Sequence, residues 1–194
     1  MRLAALAWRY LWARPLVAAL NLALLALGVA AMSFVVIVSE QVERGVQRDL
    51  AGIDLVVGAK GSPMQLILAG VFHIDVPSGN IPLAAIDTVR EHPLVERVVP
   101  LSLGDSLKGF RIVGTTLQYP ALYGAQLAEG AYWQDQLQAV LGADVARDTG
   151  LKTGDSFVGT HGLGASGEAH GDTPYKVTGQ LARCGCVLDR LVLT

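Results

Sequence analysis

The chain has 194 residues, a net charge of −2, and 52% hydrophobic against 16% charged side chains. Soluble chains carry about 25% charged residues, so part of this one is not built for water; no basic cluster of the kind that binds nucleic acid occurs, which excludes that class of partner. The length suits a membrane anchor plus one domain of about 140 residues.

Residues 1–14 hold Arg2, Arg9 and Arg14 and no acid, with Trp8, Tyr10 and Trp12 where an interfacial aromatic belt belongs. From Pro15 to Ser39 no side chain is charged. As a helix, residues 15–38 span about 36 Å, enough to cross roughly 30 Å of hydrocarbon with some tilt. Asn21 is the strongly polar side chain inside the run and is suited to a hydrogen bond with a neighbouring helix. Beyond the run stand Glu40, Glu43, Asp49 and Asp54 against Arg44 and Arg48. Lys and Arg favour the cytoplasmic flank, so the N-terminus is expected inside and the rest of the chain outside. The rival reading is a signal peptide cleaved after Val29-Ala30-Ala31. The apolar run continues past that point, beyond the 7–15 residues of a signal-peptide core.

Val38, Val42, Val46 and Leu50 recur every four residues with Glu, Gln and Arg between them. That stripe predicts one helix rising from the membrane as a stalk over residues 39–51, capped at Ala51-Gly52 and about 54 Å long from Pro15. Of 22 glycines, 20 follow Ala51. The remainder therefore reads as a domain with strands and many turns.

In that domain residues 53–58 (IDLVVG) read as a strand. Ser62 as N-cap and Pro63 at the first helical position predict a short helix over MQLILAGVF. HIDVPSGN reads as a loop. Pro82 opens a second helix, PLAAIDTVREH, with Leu83, Ile86 and Val89 on one face. Residues 94–103 and 108–115 read as a strand pair around Gly104-Asp105. Residues 116–137 are mixed, 138–141 suit a short strand, and 142–149 a short helix ended by Gly150. Residues 155–160 and 175–181 read as strands flanking the polar loop HGLGASGEAHGDTP, and the apolar stretch 187–194 as a further strand. No internal repeat occurs. The pattern is α+β.

Gly58-Ala59-Lys60-Gly61-Ser62 lacks the GxxxxGK[ST] order of a phosphate loop, and a strand-to-helix turn accounts for it. His161, His170 and Asp172 share the polar loop and are zinc-ligand types; His73 and Asp75, in another loop, could join them only through the fold. The alternative is a solvated loop without metal. Cys184-Gly185-Cys186 holds the whole cysteine content. Outside the cytoplasm an even count suggests a disulfide, but a bridge across one residue closes a strained ring. Two buried thiols, a soft-metal contact and a labile redox pair are alternatives, and two small turn residues are the preferred reading. His92, before Pro93 at a helix end, is expected to meet the last carbonyls. Asp54 and Asp105 have no spacing that argues catalysis, and no Ser/His/Asp constellation can be picked out. No catalytic, cofactor-binding or metal-ligating residue is assigned, and no cofactor.

The ordered run of a basic aromatic N-terminus, one apolar helix, a stalk, GIDLVVGAKGSPMQLIL, HIDVPSGNIP, VLGADVA, GDSFVGTHGL and YKVTGQL resembles the N-terminal half of an FtsX/MacB-type ABC transporter permease. The resemblance covers essentially the whole chain. It implies a transmembrane helix at 15–38, a stalk at 39–51 and a mixed α/β periplasmic core domain at 52–194, left incomplete because three more membrane helices would follow Thr194. The chain is then a fragment or a truncated product. Cys184-Gly185-Cys186 stands where a small turn such as Pro-Thr-Gly is expected. The resemblance further implies a non-catalytic subunit of the bacterial inner membrane, a lipid bilayer around it, a permease homodimer, and a separate cytosolic ATPase whose work is coupled to export or mechanotransmission. The alternative is a membrane-tethered periplasmic module that captures a metal or small ligand through His161 and His170. A tethered hydrolase lacks a nucleophile constellation.

Overall fold

The computed structural model describes residues 3–162 and 173–194. They fall into two compact units, Met1–Arg44 and Gly45–Thr194, divided inside one helix.

The first unit holds α1 (Leu3–Ala13) and most of α2 (Pro15–Leu50). The flank before Pro15 is itself helical, as its Leu, Ala and Arg content favours. Arg14 carries a bend, and Pro15 starts α2 at the position that tolerates a missing N–H. Trp8 and Trp12, one turn apart, bring their ring centroids to 6.1 Å, and the Arg14 guanidinium lies 5.9 Å from the Tyr10 ring. α2 runs 36 residues, its apolar window has a mean hydropathy of 2.6, and none of it is buried. A core helix of a soluble domain would be covered; this one has the length and composition of a membrane span.

The second unit begins with the last turns of α2. The helix ends where the Gly cap predicts: Ala51 and Gly52 take φ of 42° and 74°, and the Ile53 N–H donates to the Leu50 carbonyl at 2.7 Å. The strand expected at 53–58 is absent, because among the described residues no neighbouring strand pairs with it. Leu55 and Val57 face solvent. α3 (Pro63–Gly70) starts after Ser62 as expected, although the Ser62 side chain makes no cap bond. The glycines of the rejected phosphate loop are packing residues. A Cβ on Gly58 would fall 2.4 Å from Leu66 Cδ1, and one on Gly61 would fall 2.1 Å from Ser78 Oγ. α4 (Ala85–Arg90) is shorter than its apolar face suggested. His92 differs from expectation too: its Nδ1 accepts the Leu94 N–H at 3.3 Å instead of meeting helix carbonyls.

β1 (Ser102–Leu107) and β2 (Phe110–Gly114) form the expected antiparallel pair, but the turn is Lys108-Gly109, not Gly104-Asp105. Both turn residues have positive φ, 50° and 89°, as a tight hairpin with right-handed strand twist requires. α5 (Gln118–Leu122) and β3 (Leu127–Gly130) follow in the mixed region. β4 (Gln138–Leu141), α6 (Ala143–Thr149, ended by Gly150 at φ 72°) and β7 (Tyr175–Leu181) lie where the sequence predicts. The stretch 155–160 is not one strand: β5 (Ser156–Phe157) pairs β7, and β6 (Thr160–His161) pairs β1. The expected strand 187–194 is a 3-10 turn, Val187–Arg190, followed by β8 (Leu191–Leu193).

Among the described residues the sheet has eight strands in the order β3-β7-β4-β8-β2-β1-β6, with β5 also on β7. β2 is parallel to β8 and β4 to β7; the other pairs are antiparallel. Phe157 and Thr160 are three residues apart yet belong to opposite ends of that order. At about 3.5 Å per residue the sheet must curl to bring them together. Both faces are covered, which is why β4 and β8 read as unbroken apolar runs. Val140, Leu191 and Leu193 pack on one face with Tyr119, Val187 and Leu188; Leu141 and Val192 pack on the other with Val145 and Phe157.

Candidate functional site: the foot of α2

The last turn of α2, within the second unit, is seated on the face of the sheet that carries Tyr119 and the 3-10 turn. A helix end leaves its final carbonyls without intrahelical partners. The Tyr123 hydroxyl takes one of them, donating to the Asp49 carbonyl at 2.8 Å. Tyr123 stacks edge-on against buried Tyr119, ring centroids 5.5 Å apart. Tyr119 in turn sits 2.7 Å from Nε2 of His73. With the ring proton on Nε2, His73 donates to the Tyr119 oxygen. His73 Nδ1 then needs only an acceptor role, and it has no partner among the described residues. His73 is 5% exposed, with φ of 56°. Burial, then the charges of Arg111 and Arg190, lower its pKa to about 3, so the ring is neutral. Burial raises the Tyr119 hydroxyl well above the ordinary phenol range and pushes Tyr123 up to about 12.

Arg111 on β2 closes this network. It is 4% exposed, and its guanidinium donates to the Asp75 carbonyl at 2.7 Å and the His73 carbonyl at 3.4 Å. Burial lowers its pKa, which Asp75 opposes.

The second contact with α2 is the loop before the 3-10 turn. Cys184 and Cys186 are joined in a disulfide, against the preferred reading of two unbridged turn residues. Gly185 between them takes φ of 66°, the conformation that lets so short a link close. The buried Asp189 carboxylate accepts the backbone N–H groups of Cys184 at 3.0 Å and Gly185 at 2.8 Å. Three successive features thus hold one loop: a covalent bridge, a left-handed glycine and a carboxylate on two amides. A Cβ at Gly185 would lie 3.2 Å from Nη1 of Arg48, so the loop abuts α2. Arg190 reaches the Asp49 carboxylate at 4.0 Å, and Arg183 joins Asp144 at 3.0 Å to Asp189 at 3.9 Å. Burial raises the Asp49 pKa, offset by the Val187 backbone N–H and by Arg190 and Arg48. Gly45, Asp49, Asp144, Arg183, Gly185, Cys186, Asp189 and Arg190 line a cleft of about 230 Å³.

Among the described residues the candidate ligands do not converge. His161 on β6 pairs with Asp105 at 2.9 Å; His73 is buried with Tyr119; His170 and Asp172 lie outside the described residues. Among the described residues no group of three or more His, Cys, Asp or Glu could hold a metal. Sequence reasoning missed Arg111, Tyr119, Tyr123 and Asp189. Only Asp189 left a readable signal: an acid inside the apolar run VLDRLVL has to be satisfied by something nearby.

A mixed α/β domain, with a helix of membrane-crossing length leading into it, is what these features define. The sequence profile of the MacB-like periplasmic core domain matches residues 18–185, and the chain belongs to that family. It is 25% identical over 193 residues to the pyoverdine export ATP-binding/permease protein PvdT of Pseudomonas putida strain KT2440, an alignment covering 92% of this chain and 27% of that protein. The chain thus spans about a quarter of that relative's length. Among solved structures, the extracellular domain of the noncanonic ABC-type transporter YknZ from Gram-positive bacteria matches with a TM-score of 0.39 and 12% identity, over 58% of this chain and 60% of that one.

Proposed function

We propose that the chain is the N-terminal part of an ABC exporter permease, in which movement of α2 is passed to the periplasmic core. Residues 15–38 cross the bacterial inner membrane, residues 1–14 lie in the cytoplasm, residues 39–51 form the stalk, and residues 52–194 stand in the periplasm. ATP is hydrolysed by a cytosolic ABC ATPase on a separate chain, and two permease copies work together. Export is the reading closest to the relative's printed name.

The observation that carries this reading is the seating of the α2 foot. Arg48 meets Gly185, the Asp49 carbonyl meets Tyr123, and the Asp49 carboxylate meets Arg190. A tether needs no such seat. A helix that transmits displacement does, because packed elements pass on strain and a loose linker absorbs it.

The test is topological. With single cysteines introduced at Ala5 and Lys108 in a background lacking Cys184 and Cys186, a membrane-impermeant maleimide added to intact spheroplasts should label position 108 and spare position 5. Copurification of a cytosolic ABC ATPase with the membrane-extracted chain should follow. Labelling of position 5 from outside, or no associated ATPase, overturns the reading.

A further inference from the structure

The seat depends on a feature that the exporter reading does not use. Cys184 and Cys186 enclose a single residue, the shortest loop here that a bridge could close. A disulfide stabilises mainly by removing freedom from the unfolded chain, and it does so least for the shortest loops. Its consequence for this fold is therefore local: it fixes the shape of residues 184–186. That shape presents two amides to Asp189, Gly185 to Arg48, and Cys186 to the cleft beside Asp49 and Arg190.

The bridge is also open to attack. Cys184 is only half-buried, whereas Cys186 is covered and packs with Val187 and Leu188. The Cys184 sulfur is therefore the one a reductant reaches first, and Arg183 and Arg190 beside the loop are held in pairs with Asp144, Asp189 and Asp49. We propose that Cys184–Cys186 is an exchangeable disulfide that accepts electrons from a dithiol and that its opening releases the foot of α2 from the core domain.

The chemistry is thiol–disulfide exchange. A thiolate of the dithiol attacks Sγ of Cys184, the Cys184–Cys186 bond breaks, and Cys186 leaves as thiolate. The second thiol of the reagent then attacks its own sulfur in the mixed disulfide and expels Cys184. The dithiol is oxidised to a disulfide, the pair is reduced to two thiols, and two electrons and two protons pass between them. The new thiol at Cys184 has an acceptor at hand, because Asp189 Oδ1 lies 3.4 Å from that sulfur. That oxygen is the one now bonded to the Cys184 amide. Opening the bridge thus puts a thiol proton on the oxygen that already accepts the Cys184 amide, and it frees Gly185 to move off Arg48. The inference concerns the second unit alone and stands apart from the exporter reading.

The test uses the full chain in detergent micelles with dithiothreitol as the dithiol. Thiol labelling followed by mass spectrometry counts the opened bridge, and hydrogen exchange reads the amides of residues 45–50 and 184–190. We expect two thiols per chain and exchange about tenfold faster in both segments, with β4 and β8 unchanged. The Cys184→Ser, Cys186→Ser variant should show the fast pattern with or without dithiothreitol. A bridge that resists reduction in the folded chain overturns the proposal. So does one that opens while residues 45–50 stay as protected as before, or whose opening also exposes β8. The wild-type measurement decides the matter even if the double variant does not fold.

Discussion

Tyr123 donates its hydroxyl proton to the carbonyl oxygen of Asp49 at 2.8 Å, so a side chain of the core domain closes the end of α2. Asp49 is in the last helical turn, where carbonyls have no intrahelical donor. Tyr123→Phe keeps the ring against Tyr119 and removes the hydroxyl that donates to Asp49. A typical net hydrogen bond contributes about 0.5–1.5 kcal/mol. We expect a loss in that range in urea unfolding of the full chain in micelles, with faster hydrogen exchange at residues 45–50. Exchange there at the wild-type rate would show that Tyr123 does not hold the helix.

His73 gives the second unit a dependence on acid. Its pKa falls from 6.5 to about 3 on folding, chiefly through burial and then through Arg111. Between those values the unfolded chain binds the proton and the folded one does not, so stability rises with pH across that window. The contribution is complete above pH 6.5 and is lost as pH falls towards 3. It amounts to roughly 5 kcal/mol. His73→Phe should flatten the slope of stability between pH 6.5 and 4 while costing the bond to Tyr119. Equilibrium unfolding at a series of pH values reads both. A variant with the wild-type slope would remove His73 as its source.

Two glycines bracket α6 and should respond differently to alanine. A Cβ on Gly142 would fall 2.1 Å from the backbone carbonyl of Leu188, where nothing flexible can give way. Gly150 has φ of 72° but open space around it. Gly142→Ala should cost about 3 kcal/mol by forcing the 3-10 turn away from β4, and Gly150→Ala about 1 kcal/mol for the left-handed backbone alone. Denaturation midpoints order the pair, and equal losses would contradict the contact at Leu188.

What the sequence revealed divides along physical lines. α2, α6, β4 and β7 were legible because periodicity, unbroken apolar runs and a terminal Gly are local signals. Residues 53–58 misled for the opposite reason: an apolar alternating run reads as a strand, but a strand needs a neighbour, and partners are set by the fold. The β1–β2 turn was misplaced because Gly104-Asp105 and Lys108-Gly109 are both turn-like, and pairing decides between them. The seat of α2 was nearly invisible. Tyr119 and Arg111 are single residues brought to His73 from positions about forty apart in the chain, and no spacing rule anticipates that. Ring closure across one residue argues against the disulfide in the sequence, and the left-handed Gly185 that accommodates it becomes evident only in the fold.

Arg111 supplies the sharpest test of the buried network, because one substitution should move two observables in a linked way. Its guanidinium donates to the carbonyls of His73 and Asp75, and its charge is the second cause of the low His73 pKa. Arg111→Met fills a similar volume without either bond or charge. Leaving two carbonyls short of donors should cost about 2 kcal/mol at neutral pH. Removing the nearby cation favours protonated His73, so its pKa should rise from about 3 towards 6.5. The window over which acid destabilises the fold then narrows. The variant is weaker than wild type at pH 7, yet it loses less stability on going to pH 4. Titration of the His73 ring by NMR reads the pKa directly, and unfolding at the two pH values reads the stability. A less stable variant with an unmoved His73 pKa would mean that Arg111 braces the loop but does not set the charge state of the ring.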